Sequence, residues 1–280
     1  KSVYVQLEDN MQTLSVSVVI VNWKTRKMLL NCLKSLRDCD GYEHMKVIVV
    51  DNESHDDSRE MVISQFPEVI LINSGGNVGF ARANNLAIPK IDTPFVLYLN
   101  PDTIVMRSSV LLLIEFMISH PLVGAVGCKM KWPDGGTQPL GLQWFPSPLT
   151  ELISMLLVSS NSIRYLKSYL PYKNPERNDY VSKLYGGCLM VRKSILDKVG
   201  YFDERFFMYG EDVDLCKRIT DAGWKLYYLS DVEIVHLCGG SNSETSAQFA
   251  TLMKCESISK LMYKYYGNYG KSLYRLVIFS

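Results

Sequence analysis

The chain carries no excess of either charge: 30 Lys and Arg against 29 Asp and Glu over 280 residues leave a formal net charge of +1. No overall electrostatic footprint points to nucleic acid. Cysteine is scattered. Cys32, Cys39, Cys128, Cys188, Cys216, Cys238 and Cys255 form an odd set without one CxxC pair, which argues against a disulfide framework or a structural zinc site. The expected home is a reducing cytosol. No signal-peptide pattern opens the chain at Lys1, which need not be the natural start. Long apolar runs are missing too: those around 110–118 and 152–158 are too short to span a bilayer. Internal repeats and low-complexity tracts are absent.

What is present is a globular pattern. At 47% hydrophobic residues the chain can bury a core, as one large α/β domain or two small ones. Short apolar runs at 17–21, 47–50, 69–72 and 95–99 predict buried strands. Between them, Met28, Leu29, Cys32, Leu33 and Leu36 keep helical spacing, Ser58 can cap a helix carrying Met61, Val62 and Phe66, and Gly75, Gly76 and Gly79 turn into a helix over 81–88 closed by Pro89. This alternation predicts an α/β fold with a mostly parallel central sheet flanked by helices. The second half is less regular. Strands are expected over 122–130, 181–191, 225–229 and 232–236, helices over 151–170 and 211–222, and a proline-rich loop over 132–148.

Ligands of such sheets sit at the carboxyl ends of the strands. Asn22, Asp51, Asn73, Asn100 and Asp102 gather there. Asp51 can accept a hydrogen bond from a base, or simply belong to a solvated acidic turn with Asn52. The glycines from Gly75 to Gly79 leave backbone N–H groups open for an anion, yet they match neither GxGxxG nor a P-loop. Asn84 and Asn85 are poor helix formers inside the helix that follows. Arg82 is either a phosphate contact or an ordinary surface arginine. A helix starting at Glu211 places Asp212, Leu215, Cys216 and Ile219 on one face, so Asp212 faces inward. Asp214 and Arg218 then form an i,i+4 ion pair on a more exposed side. His236 ends an apolar strand. Alone it is ordinary; beside Asp102 it leaves room for a divalent ion.

These segments occur in one order: Asn22-Trp23 after the first strand, VIVVDNESHDDS, NSGGNVGFARANN, YLNPDT, YGGCLMVRKSILDKVGYFDERFFMYGEDVDLCKRITDAGW and HLCGGS. Together they resemble the family-2 inverting glycosyltransferases of GT-A fold, in the rhamnosyltransferase-like branch. The resemblance covers about residues 15–243. It implies a Rossmann-like nucleotide-sugar-binding half over 15–105, an acceptor and catalytic half over 106–243, and sugar transfer to a hydroxyl with inversion. By that resemblance Asn22, Trp23, Asp51, Asn52, Gly79, Arg82 and Asn84 would serve the nucleotide. Asp102 matches the last position of the DxD metal motif, with Asn100 standing at the first, and His236 a second contact to Mn2+ or Mg2+. Asp212 matches the catalytic base. Gly186, Gly187, Asn100 and Glu211 would meet donor or acceptor. No Gln-x-x-Arg-Trp follows the Glu-Asp motif, which separates the chain from processive synthases of the family. The favoured donor is dTDP-rhamnose, with UDP-hexoses open, and the acceptor is a glycan or lipid-linked saccharide in cell-surface polysaccharide assembly.

Two other classes compete. A nucleotidyltransferase of similar fold needs a glycine-rich basic loop after the first strand, which Asn22-Trp23-Lys24-Thr25-Arg26 does not supply. A silent sugar-nucleotide or glycan-binding module has no need of both Asp102 and Asp212. The stretch 246–280 mixes Lys254, Lys260, Lys264, Lys271 and Arg275 with five tyrosines. It reads first as a helix docked on the domain and second as one lying on the inner face of a membrane.

Overall fold

The computed structural model describes residues 14–140, 143–159, 173–237 and 244–279. The predicted alternation is present. Strand β1 (Val16–Asn22) leads through α1 (Arg26–Arg37) to β2 (Met45–Asp51). Helix α2 (Ser58–Gln65) then precedes β3 (Ile70–Asn73), and α3 (Phe80–Asn85) precedes β4 (Phe95–Leu99). All four strands pair in parallel, in the order β3-β2-β1-β4. Every residue of β1 and β4 is buried, as expected of strands covered on both faces. Helix α1 buries Leu29, Cys32, Leu33 and Leu36, one stripe at i, i+3, i+4 and i+7.

The second half extends the same sheet. β5 (Thr103–Val105), α4 (Ser109–Ser119), β6 (Val123–Lys131), α5 (Pro148–Ser159), β7 (Asp179–Val181), β8 (Cys188–Arg192), α6 (Lys193–Val199), α7 (Glu211–Asp221), β9 (Lys225–His236) and α8 (Glu244–Phe279) follow in chain order. Beyond β4 the sheet continues β8-β6-β9-β5, with β7 also on β9. β8 is antiparallel to β4 and β6, β9 is parallel to β6, and β5 and β7 are antiparallel to β9.

Several expectations change. The single strand over 181–191 is two, β7 and β8, because 182–187 runs irregularly past Asp212. The two strands over 225–236 are one, with a register shift opposite Cys128 and Lys129 that absorbs the break. Ser58 is the first residue of α2 rather than its cap; Asp57, in the left-handed region, holds the cap position. The helix expected over 151–170 is present to Ser159, and 160–170 lies outside the described residues. So do Cys238 to Ser241 of the last motif.

The largest correction concerns Asp214. It is not on an exposed side: its side chain is 0% exposed. It accepts hydrogen bonds from Arg218 at 2.8 Å, from the Tyr265 hydroxyl at 2.7 Å and from Lys264. The helix prediction set Asp214 by its spacing on α7 alone, whereas α8 covers that side. α8 is docked, burying Leu261, Met262 and Tyr274, with a break at Gly267 (φ 64°).

One contact ties the two halves near the strand ends. Gly79 has φ +87° and ψ 169°, a region open essentially to glycine alone. A Cβ there would stand 2.6 Å from the Phe207 carbonyl oxygen, which already accepts the Phe80 N–H at 2.6 Å. Gly79→Ala is expected to lower the unfolding free energy by about 2 kcal/mol or more, measured by urea unfolding. An unchanged midpoint and slope would refute the packing argument.

Candidate active site

A cavity of about 650 Å³ opens at the junction of β4, β8, β9 and α7, within the range of small-molecule sites. Asn100, Asp102, Gly186, Gly187, Glu211, Asp212 and His236 all line it. These expected residues, spread over 137 positions of chain, share one enclosure because β5 runs antiparallel to β9. The register sets Thr103 opposite His236, and the Leu237 N–H donates to the Asp102 carbonyl at 2.9 Å.

At one end, Asp102 Oδ1 lies 3.3 Å from His236 Nε2, with the side chains 13% and 16% exposed. Gln138 settles the histidine tautomer. Its amide NH2 donates to the His236 carbonyl at 3.0 Å, so its oxygen is the atom 3.2 Å from Nδ1. Nδ1 therefore carries a proton, and Nε2 faces Asp102 and the Asn100 amide, 3.5 Å away. A carboxylate oxygen and an imidazole lone pair at this spacing match two adjacent ligands of a divalent ion, which stand roughly 3 Å apart when bonds are ~2.1 Å. Among the described residues no group of three His, Cys, Asp or Glu side chains surrounds such a point. The other ligand positions would fall to water or a bound anion. The donor set fits a hard or borderline divalent cation.

At the other end, α7 starts at Glu211 after Tyr209 (φ +66°) and Gly210 (φ +84°). Asp212 Oδ2 accepts the Gly186 N–H at 3.0 Å and Oδ1 accepts the Val213 N–H at 2.7 Å. Burial raises its pKa above the usual carboxylate value, while these N–H groups and the Lys183 charge pull it down. Glu211 is 5% exposed, and among the described residues its Oε2 has no hydrogen-bond partner. Burial first, and the Asp212 charge second, push it well above the ordinary range. Both adjacent carboxyls are thus raised by burial, and Glu211 the more strongly, since Asp212 has the N–H groups and the Lys183 charge to oppose the shift.

The expected glycine roles are partly met by the protein itself. Gly186 serves Asp212 through its N–H, and a Cβ on Gly187 would come within 3.2 Å of Met130 and 3.4 Å of the Asn100 amide. The remaining expected residues lie outside this cavity. Asn22, Asp51 and Asn52 are buried at the ends of β1 and β2. The Asn22 amide donates to Asp51 at 3.3 Å and to Ser54 at 2.7 Å. Asn52 accepts the Val78 N–H and donates to Asn77, fixing the loop into α3. Trp23 is exposed beside them. Arg82 has a 60% exposed side chain 3.8 Å from Glu204. The Asn84 amide is turned back onto the Phe80 carbonyl of its own helix.

Sequence reasoning missed Gln138, Tyr209 and Lys254. Gln138 comes from the proline-rich loop, whose turn at 132–136 brings it back beside β6. Tyr209 and Lys254 line the cavity together, the ammonium 5.1 Å from the ring centre. The signal for Tyr209 was its place before Gly210 and the Glu-Asp pair; none marked Lys254.

The family model described as Glycosyl transferase family 2 matches residues 17–200. An N-acetylglucosaminyl-diphospho-decaprenol L-rhamnosyltransferase of Mycobacterium tuberculosis is 32% identical over 215 residues, 69% of this chain and 66% of that protein. The chain thus spans just under two thirds of that relative's length. The rhamnosyltransferase WbbL of Escherichia coli is 28% identical over 234 residues, 81% of this chain and 85% of that protein. Among solved structures, the mannosyltransferase PcManGT of Pyrobaculum calidifontis, in complex with GDP-Man and Mn2+, aligns with a TM-score of 0.62 at 16% identity, covering 89% of this chain and 63% of that one. S. aureus TarS 1–349 in complex with UDP aligns at 0.57 with 18% identity, covering 89% and 65%. At such identities the two structures speak for the fold, and the sequence matches for the family. The chain belongs to glycosyl transferase family 2 and has the GT-A fold.

Proposed function

We propose that the protein is an inverting, metal-assisted glycosyltransferase of cell-surface polysaccharide assembly. It moves a sugar, dTDP-rhamnose being the favoured donor, to a hydroxyl of a glycan or lipid-linked saccharide. The observation that carries this reading is that Asp102 with His236 and Glu211 with Asp212 open on one cavity. That the mycobacterial and WbbL relatives are rhamnosyltransferases supports rhamnose as the sugar, and the first, an N-acetylglucosaminyl-diphospho-decaprenol L-rhamnosyltransferase, supports a lipid-diphosphate acceptor.

The acceptor hydroxyl attacks the anomeric carbon, the bond from that carbon to the diphosphate oxygen breaks, and the hydroxyl proton passes to Asp212. The N–H groups of Gly186 and Val213 hold Asp212 in place for that transfer. Glu211, whose Oε2 has no partner among the described residues, offers that oxygen to a sugar hydroxyl at the same wall. Asn22, Asp51 and Asn52, with Trp23 above them, frame the nucleoside at the ends of β1 and β2. Gly79 and Arg82 stand at the anion-facing turn, and Asn84 supports them through the helix. Mn2+ or Mg2+ on Asp102 Oδ1 and His236 Nε2 would supply Lewis-acid neutralisation of the leaving diphosphate.

Asp212→Asn is expected to lower transfer ~10²–10⁴-fold while nucleotide binding, followed by thermal shift, persists. Retained transfer would remove Asp212 as base. A base works deprotonated, and burial raises this one. Wild-type kcat/KM should therefore fall as pH drops through a value above the ordinary carboxylate range, a limb that an acidic-pH rate profile would reveal or deny.

Chelation by EDTA should abolish transfer, and Mn2+ should restore it. Asp102→Asn and His236→Ala should each erase the extra stabilisation that Mn2+ gives to nucleoside-diphosphate binding. Equal Mn2+ enhancement in wild type and both variants would overturn the metal assignment.

The outward side of α8 supports peripheral contact with an anionic membrane. Phe249, Leu252, Tyr263 and Tyr266 are exposed there, with Lys271 5.6 Å from the Tyr263 ring, while Lys260 is paired with Glu256 at 2.7 Å. Lys264 takes no part, since Asp203 and Asp214 hold it. Deleting 246–280 would strip buried core, so point changes are the cleaner test. Flotation with vesicles rich in anionic lipid should recover wild type but much less of a Tyr263→Ser, Tyr266→Ser double variant; equal recovery would sink membrane contact.

A further inference from the structure

We infer that the C-terminal helix α8 positions the catalytic base, with Lys264 and Tyr265 as the positioning residues acting through Asp214. This rests on the reading of Asp212 as base.

Asp214 sits two residues past Asp212 in the first turn of α7 and has no exposure. A carboxylate buried so completely needs compensating charge and hydrogen bonds on every side. α7 itself supplies only Arg218, at 2.8 Å. That guanidinium is also committed to the carbonyls of Val199, Gly200 and Tyr201 at 2.8, 2.6 and 2.7 Å. The rest of the compensation comes from α8: the Lys264 ammonium and the Tyr265 hydroxyl both bond to Asp214 Oδ1. Lys264 is held in turn by Asp203 at 2.8 Å, and Asp203 by Arg205.

The same helix grips the residues just before Glu211. The Ser257 hydroxyl donates to the Met208 carbonyl at 2.8 Å. Lys254 lies over Tyr209. A Cβ on Gly210 would stand 3.3 Å from Ser257 Cβ and 3.5 Å from Leu261. Tyr209 and Gly210 both have positive φ, so the direction in which α7 departs is set by two unusual residues that α8 packs against. On the opposite side, the Phe80 N–H holds the Phe207 carbonyl. Asp212 reaches the Gly186 N–H only while this turn keeps its place. Loss of the Lys264 charge would leave Asp214 under-compensated. The relief open to it is movement of the first turn of α7 toward solvent, which carries Asp212 off its hydrogen bond. Displacements near 1 Å in such groups cost ~10²-fold in rate.

The test compares wild type with Lys264→Met, Lys264→Arg and Tyr265→Phe by hydrogen exchange of the free protein, well below its unfolding temperature. Lys264→Met should speed exchange across 208–216 roughly tenfold or more while β1, β2 and β4 exchange as in wild type. Lys264→Arg should restore protection. In transfer assays Lys264→Met should lower kcat at least roughly tenfold with nucleotide affinity kept within about threefold, and Lys264→Arg should recover it. Unchanged exchange at 208–216, or exchange that rises equally throughout the sheet, would overturn the proposal. Local loosening with kcat unchanged would overturn it too. If Lys264→Met does not fold, Tyr265→Phe decides: it keeps the ring, removes one bond to Asp214, and should show the same local loosening to a smaller degree. Exchange needs no donor, so it reads the clamp even where Asp212→Asn shows that another group is the base.

Discussion

Strand β9 is the constraint on which the site depends. It pairs with β6 along one side and with β5 and β7 along the other, and its last residue stands opposite Thr103. That register makes neighbours of Asp102 and His236. It also leaves the end of β9 within reach of Gln138, whose two bonds to His236 fix both the ring and its tautomer. Without this pairing the Asp102 carboxylate would face no imidazole.

The two ends of the cavity solve opposite electrostatic problems. At the Asp102 end, a carboxylate oxygen and an imidazole nitrogen are brought within 3.3 Å of each other, an arrangement that a bound divalent cation would stabilise. At the Asp212 end, two carboxyls are buried side by side, and burial with mutual repulsion raises the Glu211 carboxyl well above its usual range. The backbone N–H groups of Gly186 and Val213 favour charge on Asp212, and Glu211 has no equivalent support for its Oε2. The asymmetry between neighbours in sequence therefore comes from the irregular segment 182–187.

Much of this was legible beforehand, and the pattern of success is physical. Short continuous apolar runs marked the first four strands and helical spacing marked α1; β1, β2, β4 and α1 each bury one continuous apolar set, while β3 at the sheet edge is only half-buried. The family motifs placed Asp102, His236, Glu211 and Asp212 together, and they share one cavity. The reading failed where a residue's surroundings come from a distant element. Asp214 looked like half of an exposed ion pair because Arg218 is local, whereas Lys264 and Tyr265 lie some 50 positions on. Gln138 was hidden in a loop whose return path no periodicity encodes. Asn84, a poor helix former, pointed toward a ligand in the sequence, yet its amide bonds the carbonyl one turn back.

The sheet order also bears on how the chain is assembled. β9 lies between β6 and β5, so β5, although made early, has no partner in the sheet until β9 arrives. During synthesis the parallel unit β1 to β4 can close from its own residues, but β6 waits with an open apolar edge. Such an edge invites pairing with another chain, and contacts between 103–105 and 234–236 are of the long-range kind that form slowly. A fragment stopped after α6 would carry most of the motifs and still be an unfinished sheet. The half of the cavity built on Asp102 cannot form until β9 slots in between β6 and β5.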